Sequence, residues 1–258
     1  MRLIPWAALG RPGGELSAPV RLTIGVFDGV HLGHRRLIRS VLDGGPGRIP
    51  LVVTFEQNPQ QLLAPGSFPG TLTTYAQKLE RLESLGVQAV VAIDFSNELS
   101  KLSGKAFLGA LMENLTIEKI VVGYNFRYGK GRSAGTDDLR ETFAGTGTEV
   151  DVAEPVLWGD SAVSSSRIRK TVQEAEFAAA REMLGAPFCV DLRGLTLERL
   201  GSGCYRVQRR ILSQILPPVG TYRVSCEGEP GTGRVTVAVD DLVLEGTLAW
   251  DTRPIAFD

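Results

Sequence analysis

The sequence predicts an α/β chain, a domain built on a parallel sheet with crossover helices followed by a small antiparallel β-barrel domain. Three observations predict it. From residue 20 to about residue 185, short β-type runs alternate with amphipathic stretches, the pattern of strands joined by crossover helices. After Gly185-Ala186-Pro187 the helical periodicity fades, and β-type runs follow one another between Gly, Pro and Asp. The 258 residues, 43% of them apolar, suffice for one large domain or two ordinary ones.

The first region has five strand candidates, RLTIGVF, PLVVTF, VQAVVAIDF, IEKIVVG and TEVDVAE. Helices are expected between them at residues 34–42, 74–85, 103–114 and 136–144. The second of these carries Leu79, Leu82 and Leu85 at threefold spacing with Lys78, Glu80, Arg81 and Glu83 between them, as a surface helix requires, and Gly86 stops it. A further helix is expected over residues 166–183, broken near Glu174. The β-type runs of the second region are TYRVSCEG, GRVTVAVD and LVLEGTLAW, which sets the domains at residues 1–187 and 188–258.

Charge excludes some functions. Lys and Arg number 28 against 29 Asp and Glu, so a net charge of −1 gives no general attraction for nucleic acid or an anionic membrane, and neither is expected as a partner. Any affinity for phosphate must be local. Cys189, Cys204 and Cys226 are odd in number without a C-x-x-C spacing, which argues against a disulfide framework or a zinc cluster and for a reducing cytoplasm. The opening MRLIPWAALGRPGG has a short apolar run interrupted by Pro5, and no later segment has the length of a membrane span, so a soluble, unprocessed protein is expected.

The stretch TIGVFDGVHLGHRRLI holds both histidines of the chain, where the first strand gives way to the first crossover helix. Gly25 and Gly29 permit tight turns, and Gly33 lets a ligand lie against the helix N-terminus, whose unpaired amides attract anions. His31 and His34, three residues apart across one turn, can point to one side and donate to polyphosphate oxygens as negative charge grows. Two bland readings compete. The pair can cap a helix and pack on its neighbours, or bind metal, although a zinc site needs further His or Cys ligands and no other histidine exists.

TIGVFDGVHLGHRRLI resembles the H-x-G-H signature of the nucleotidyltransferase superfamily in the form typical of bacterial FAD synthetases. VVTFEQNP, LTTYAQKLERLESLGV, VVGYNFRYGKGRSAGTDDL and VSSSRIRKTV agree in order and spacing, over nearly all of residues 20–187. The resemblance implies a Rossmann-like nucleotidyltransferase domain that transfers AMP from ATP to FMN, giving FAD and pyrophosphate, with ATP and FMN as partners and Mg²⁺ as the metal bridging phosphate oxygens. It implies Gly25, Phe27, Asp28, Gly29 and Gly33 around ATP, and Ser165, Ser166 and Arg169 on its phosphates opposite His31 and His34. Asn125, with the histidines and Arg169, falls among the implied catalytic residues.

GYNFRYGKGRSAG mixes aromatics, cations and glycines, a composition suited to a mobile loop closing on a flat, phosphorylated ligand. The resemblance puts Asn125, Phe126, Arg127 and Tyr128 near flavin and α-phosphate, with Lys130 and Arg132 on the covering loop; Phe126 and Tyr128 read equally well as hydrophobic anchors. TFEQNP brings Phe55 and Asn58 to the end of the second strand as flavin-side residues. Here the chain departs from the family's T-F-x-P-H-P, and Asn58 can donate a hydrogen bond but cannot be cationic.

In most bacterial FAD synthetases the C-terminal module is a riboflavin kinase marked by G-x-x-x-G-R and G-x-P-T-x-N. Residues 192–217 contain neither motif, and only LPPVGTYRV and the β pattern after it resemble that module. The expectation is a kinase-like barrel without kinase activity, in a chain that must receive FMN ready made.

Overall fold

The computed structural model describes residues 1–12, 14–95, 100–226 and 231–258. The chain groups into two compact units, Met1–Pro65 with Leu79–Ala162, and Gly66–Lys78 with Val163–Asp258.

The first unit is built on β1 (Arg2–Pro5), β2 (Val20–Ile24), β3 (Ile49–Phe55), β4 (Ala89–Ile93), β5 (Ile117–Gly123) and β6 (Glu149–Ala153). They form one sheet in the order β1-β4-β3-β2-β5-β6, and every pairing is parallel. Its helices are α1 (Leu32–Leu42), α2 (Pro59–Leu63), residues 79–84 of α3 (Tyr75–Ser84), α4 (Gly104–Asn114) and α5 (Thr136–Phe143). A two-stranded ribbon, β7 (Leu157–Trp158) and β8 (Ser161–Ala162), ends the unit.

The inner strands β3 and β4 read as continuous apolar runs because both faces of the sheet are covered there. Leu51, Val53, Val91, Ile120 and Val122 pack with Phe107, Leu108 and Leu111 of α4 and Leu139 and Phe143 of α5. The alternate residues Val52 and Val90 pack with Ile38 of α1 and Leu82 of α3, and Val121 with Val41 of α1. From β2 the chain steps to β3 and β4 on one side and to β5 and β6 on the other. The strand order therefore reverses between β2 and β5, and open α/β sheets bind ligands beyond the carboxyl ends of strands at such a point.

The opening run forms a structural element that the sequence reading did not expect. Residues 2–5 are a strand at the edge of the sheet, paired with β4, and the Trp6 ring stacks on Phe107 at 5.3 Å. An edge strand tolerates the missing amide of Pro5.

The second unit contains α6 (Ser165–Gln173), α7 (Phe177–Leu184), β9 (Cys189–Val190), β10 (Glu198–Gly201), β11 (Cys204–Gln208), β12 (Gly220–Cys226), β13 (Gly233–Val237), β14 (Asp241–Gly246) and β15 (Ile255–Phe257). Its seven strands lie in the order β10-β11-β14-β13-β12-β15-β9 with antiparallel pairings. Among the described residues the outer strands β10 and β9 do not pair with each other, so the sheet is an open half-barrel. Glu227 and Gly228, at the end of the TYRVSCEG run, lie outside the described residues.

This unit starts earlier in the chain than the change of texture at residue 187, because the broken helix packs on the half-barrel. Phe177 of α7 meets Tyr222 at 5.5 Å and Phe257 at 5.3 Å. Residues 66–78 join the same unit through Gln214, which is 5% exposed. Its Nε2 donates to Leu72 O at 3.1 Å and Cys189 O at 2.8 Å, while its Oε1 accepts from Asp191 N at 2.7 Å. Among the described residues no helix is long and apolar enough to cross a membrane.

Candidate active site

β2 ends at Ile24, sooner than its apolar run, because the backbone turns left-handed: φ is 54° at Phe27, 83° at Gly29 and 44° at Val30. For a β-branched residue such as Val30 that conformation is a genuine outlier, and each non-glycine site of this kind costs about 1–3 kcal/mol. The surroundings hold the turn from several directions. Phe27 and Val30 are fully buried in the cluster with Ile38, Val52 and Leu82. Thr54 Oγ1 donates to Val26 O at 3.1 Å, and Val30 N to Phe27 O at 3.2 Å. Two further carbonyls face guanidinium groups: Arg81 Nη1 donates to Gly29 O at 2.8 Å, and Arg35 Nε to Val30 O at 3.2 Å. Burial, then the neighbouring Arg39, lowers the Arg35 pKa from its ordinary value. A hydrogen bond to a charged group contributes about 1.5–3 kcal/mol, the same size as the strain it opposes. Gly25 gives the Phe27 ring room beside this turn, since a Cβ there would lie 3.2 Å from it. Asp28 is buried inside it, and Gly33 falls within the first turn of α1.

The turn delivers both histidines to one place. Helix α1 begins at Leu32, two residues before the expected start, because His31 serves as its N-cap: His34 N donates to His31 Nδ1 at 3.4 Å. In a neutral ring, an Nδ1 that accepts places the proton on Nε2. The two imidazoles stack with centroids 3.6 Å apart and planes 16° from parallel, and the Phe27 ring meets His34 edge-on at 5.1 Å. The capping role and the stacked pair of rings are thus found together.

At the end of β3, Phe55 meets the Phe95 ring edge-on at 5.6 Å. Asn58 is buried and caps α2, its Oδ1 accepting from Gln60 N at 3.1 Å, which leaves the Nδ2 amide as its donor end.

Beyond β5, Phe126 N donates to Gly123 O at 2.9 Å, closing a turn with Tyr124 and exposed Asn125 at its apex. Backbone bonds tie this segment to itself and to its surroundings. Tyr128 and Ala134 exchange backbone bonds at 3.0 and 3.2 Å, and Lys130 N donates to Leu102 O at 2.8 Å. A Cβ on Gly129, whose φ is 74°, would meet Gly104 N at 2.5 Å, so the backbones there are in contact. Tyr128 is spent as an anchor in the core, its ring stacked on Phe126 at 5.3 Å and 6.3 Å from Phe107. Burial, then the Asp138 charge, raises its phenol pKa. Phe126 is half-buried, and Arg127, Lys130 and Arg132 are exposed. Gly135 makes room for Arg127, because a Cβ there would lie 2.9 Å from Arg127 Nη1.

In the second unit, Ser164 caps α6 through Oγ, which accepts from Arg167 N at 3.3 Å. Ser165 and Ser166 therefore occupy the first turn, where main-chain amides favour an anion. Arg169, also on α6, is 6% exposed; its Nε donates to Gly70 O at 2.9 Å and its guanidinium lies 5.0 Å from the Phe68 ring centroid.

Sequence reasoning missed the groups that support the turn. Arg81 read as one charge on a helix face, and Arg35 and Thr54 carried no signal at all; the bonds they make depend on left-handed residues that spacing does not reveal. Among the described residues, no group of three or more His, Cys, Asp or Glu could hold a metal ion.

A family model described as FAD synthetase matches residues 15–167. The chain is similar to the bifunctional riboflavin kinase/FMN adenylyltransferase of Escherichia coli strain K12, 31% identical over 212 residues covering 80% of this chain and 68% of that protein. It is similar to the protein of the same description from Bacillus subtilis strain 168, 30% identical over 226 residues covering 83% and 69%. Among solved structures, a Streptococcus pneumoniae protein described as a macrolide-efflux protein shares the fold, with a TM-score of 0.80 and 21% identity over 100% of this chain and 90% of that one.

Proposed function

The chain belongs to the FAD synthetase family, and on that premise we propose that it transfers the adenylyl group of ATP to FMN, releasing FAD and pyrophosphate, and that it does this alone. The observation that carries the proposal is the pair of stacked imidazoles on a strained strand-to-helix turn at the sheet's reversal point. A phosphate oxygen of FMN attacks the α-phosphorus of ATP, the new P–O bond forms, and the bond to the departing pyrophosphate breaks. No protein nucleophile is needed, so the chain's work is alignment and charge neutralisation. His31 Nε2–H and His34 are donors to the oxygens on which charge develops. Gly25, Phe27, Asp28, Gly29 and Gly33 shape the ATP side, while the first-turn amides at Ser165 and Ser166 and the Arg169 fork serve the phosphates. Phe55, Asn58, Phe126, Arg127 and Asn125 serve the flavin side; for Tyr128 the anchoring role suffices.

Mg²⁺ fits this arrangement as a companion of the ATP phosphates. The donor set offers it no three-ligand cage among the described residues, and bound there it would neutralise phosphate charge. The three thiols, Cys189, Cys204 and Cys226, favour the cytoplasm as the site of the reaction.

The function domain is residues 1–187, and residues 188–258 act as a kinase-like support. One observation favours a second reading: the relatives named above are bifunctional. Against it, residues 192–217 contain no G-x-x-x-G-R or P-T-x-N to hold a phosphate and its metal. The test of the proposal is a reaction with ATP, FMN and Mg²⁺. FAD and pyrophosphate appearing in equal amounts is the expected result; tight binding of FMN and ATP without pyrophosphate release would replace the enzyme with a flavin-nucleotide binding protein.

A further inference from the structure

We infer that Arg81 is a positioning residue for the paired imidazoles: by holding the Gly29 carbonyl, it keeps the turn in the shape that brings His31 against His34. The peptide joining Gly29 to Val30 orients that carbonyl through the ψ of one residue and the φ of the other. Holding the oxygen at 2.8 Å from Arg81 Nη1 therefore restrains those two dihedrals together and helps to keep Val30 at its left-handed φ of 44°. The next peptide, from Val30 to His31, is gripped by Arg35 Nε at 3.2 Å. Both peptides flanking the strained residue are thus held by guanidinium groups, and His31 follows directly.

The two arginines have different jobs. Arg35 stands on α1 beside His34 and travels with the helix that it helps to seat. Arg81 comes from α3, 52 residues along the chain from Gly29. Its neighbours Leu79, Leu82 and Leu85 pack into the cluster that buries Phe27 and Val30. Arg81 thereby refers the turn to the packed layer beneath it, which Arg35 cannot do. Without its donor the 29–30 peptide keeps the Val30 N bond to Phe27 O at 3.2 Å but loses the restraint on its carbonyl, so it relaxes toward ordinary φ and His31, the cap of α1, turns with it.

The inference rests on the proposed adenylyl transfer only for its kinetic arm. The chain has two histidines, so imidazole ¹⁵N spectra of the free protein contain two spin systems and report ring stacking and the His31 tautomer without any substrate. In Arg81→Met, which keeps the aliphatic stem and removes the donor, both imidazole signals are expected to move away from the stacked-ring positions. In Arg81→Lys, which restores one donor, they return part of the way. Turnover with ATP and FMN should fall about 10- to 100-fold in kcat while the KM for ATP stays within about threefold. Arg81→Ala gives the same reading if the Met chain does not fold. Imidazole spectra unchanged from wild type overturn the inference, whatever happens to Tm. Moved spectra with undiminished turnover keep it and sink the catalytic role of the histidines instead.

Discussion

His31 has one duty in the structure and a second in the proposed reaction, and substitution can separate them. Its Nδ1 caps α1, and its Nε2–H is the donor assigned to the reacting phosphate. The cap bond, at 3.4 Å, is at the long end of useful geometry, so it belongs at the low end of cap energies, about 0.5 kcal/mol. Loss of a donor to developing charge costs about 10²- to 10³-fold in rate, or about 2.7–4 kcal/mol. His31→Asn retains a capping oxygen and removes the ring donor, whereas His31→Ala removes both. Both variants lose the stacked contact with His34 equally. The expected outcome is that Asn melts about 1–2 °C above Ala, while both lose at least about 10²-fold in kcat. Thermal unfolding and a steady-state pyrophosphate assay on the same preparations measure the two quantities. Turnover in His31→Asn within about threefold of wild type would refute the reasoning, because it would make the histidine a cap and nothing more.

Two further outcomes are expected from the supports of the fold. Gly129→Ala should destabilise by about 1–3 kcal/mol, since a methyl group at φ 74° also meets Gly104 N at 2.5 Å; denaturant unfolding checks this, and an unchanged midpoint would mean that the loop after β5 is not pinned there. Asp191 is buried, which alone would raise its pKa, but hydrogen bonds and charge from Arg193, with Thr74 Oγ1 at 3.1 Å, hold it below the usual carboxylate range. Because the folded pKa lies below the unfolded one, its stabilisation is fully present above about pH 4 and is lost as pH falls through the folded value. Arg193 is 30% exposed, so Asp191→Asn should cost only about 1–2 kcal/mol at neutral pH. That deficit should shrink as pH falls below about 4 in melting curves of both chains; a deficit constant with pH would contradict the ion pair's role.

The core of the parallel sheet was legible because β2, β3 and β4 are apolar runs buried along most of their length, and α1, α4 and α5 end within two residues of their expected limits. What escaped has definite physical causes. The β10–β11 hairpin hides in LERLGSGCYRVQ because β10 is exposed along its whole length, so no buried face imposes an alternating pattern. The attachment of residues 66–78 uses distant partners such as Gln214, 142 residues from Leu72, beyond the reach of local periodicity. In the candidate site the paired histidines were legible from spacing, while the left-handed Val30 and its arginine clamps were not. The glycine-rich segment after β5 reads as mobile by composition, but Gly129 is there to let two backbones touch.

The central claim is that this chain moves the α-phosphorus of ATP, and never the γ-phosphorus, onto a flavin. Its most direct test uses ATP labelled distinguishably at the α- and γ-phosphates, incubated with Mg²⁺ and high enzyme in two vessels, one with FMN and one with riboflavin, followed by separation of the flavins. The account predicts α-label in FAD from the FMN vessel, γ-label only in pyrophosphate, and no labelled flavin from riboflavin. γ-Label in FMN from the riboflavin vessel would contradict it by revealing a kinase, and an FMN vessel without α-labelled FAD would contradict the adenylyl transfer itself.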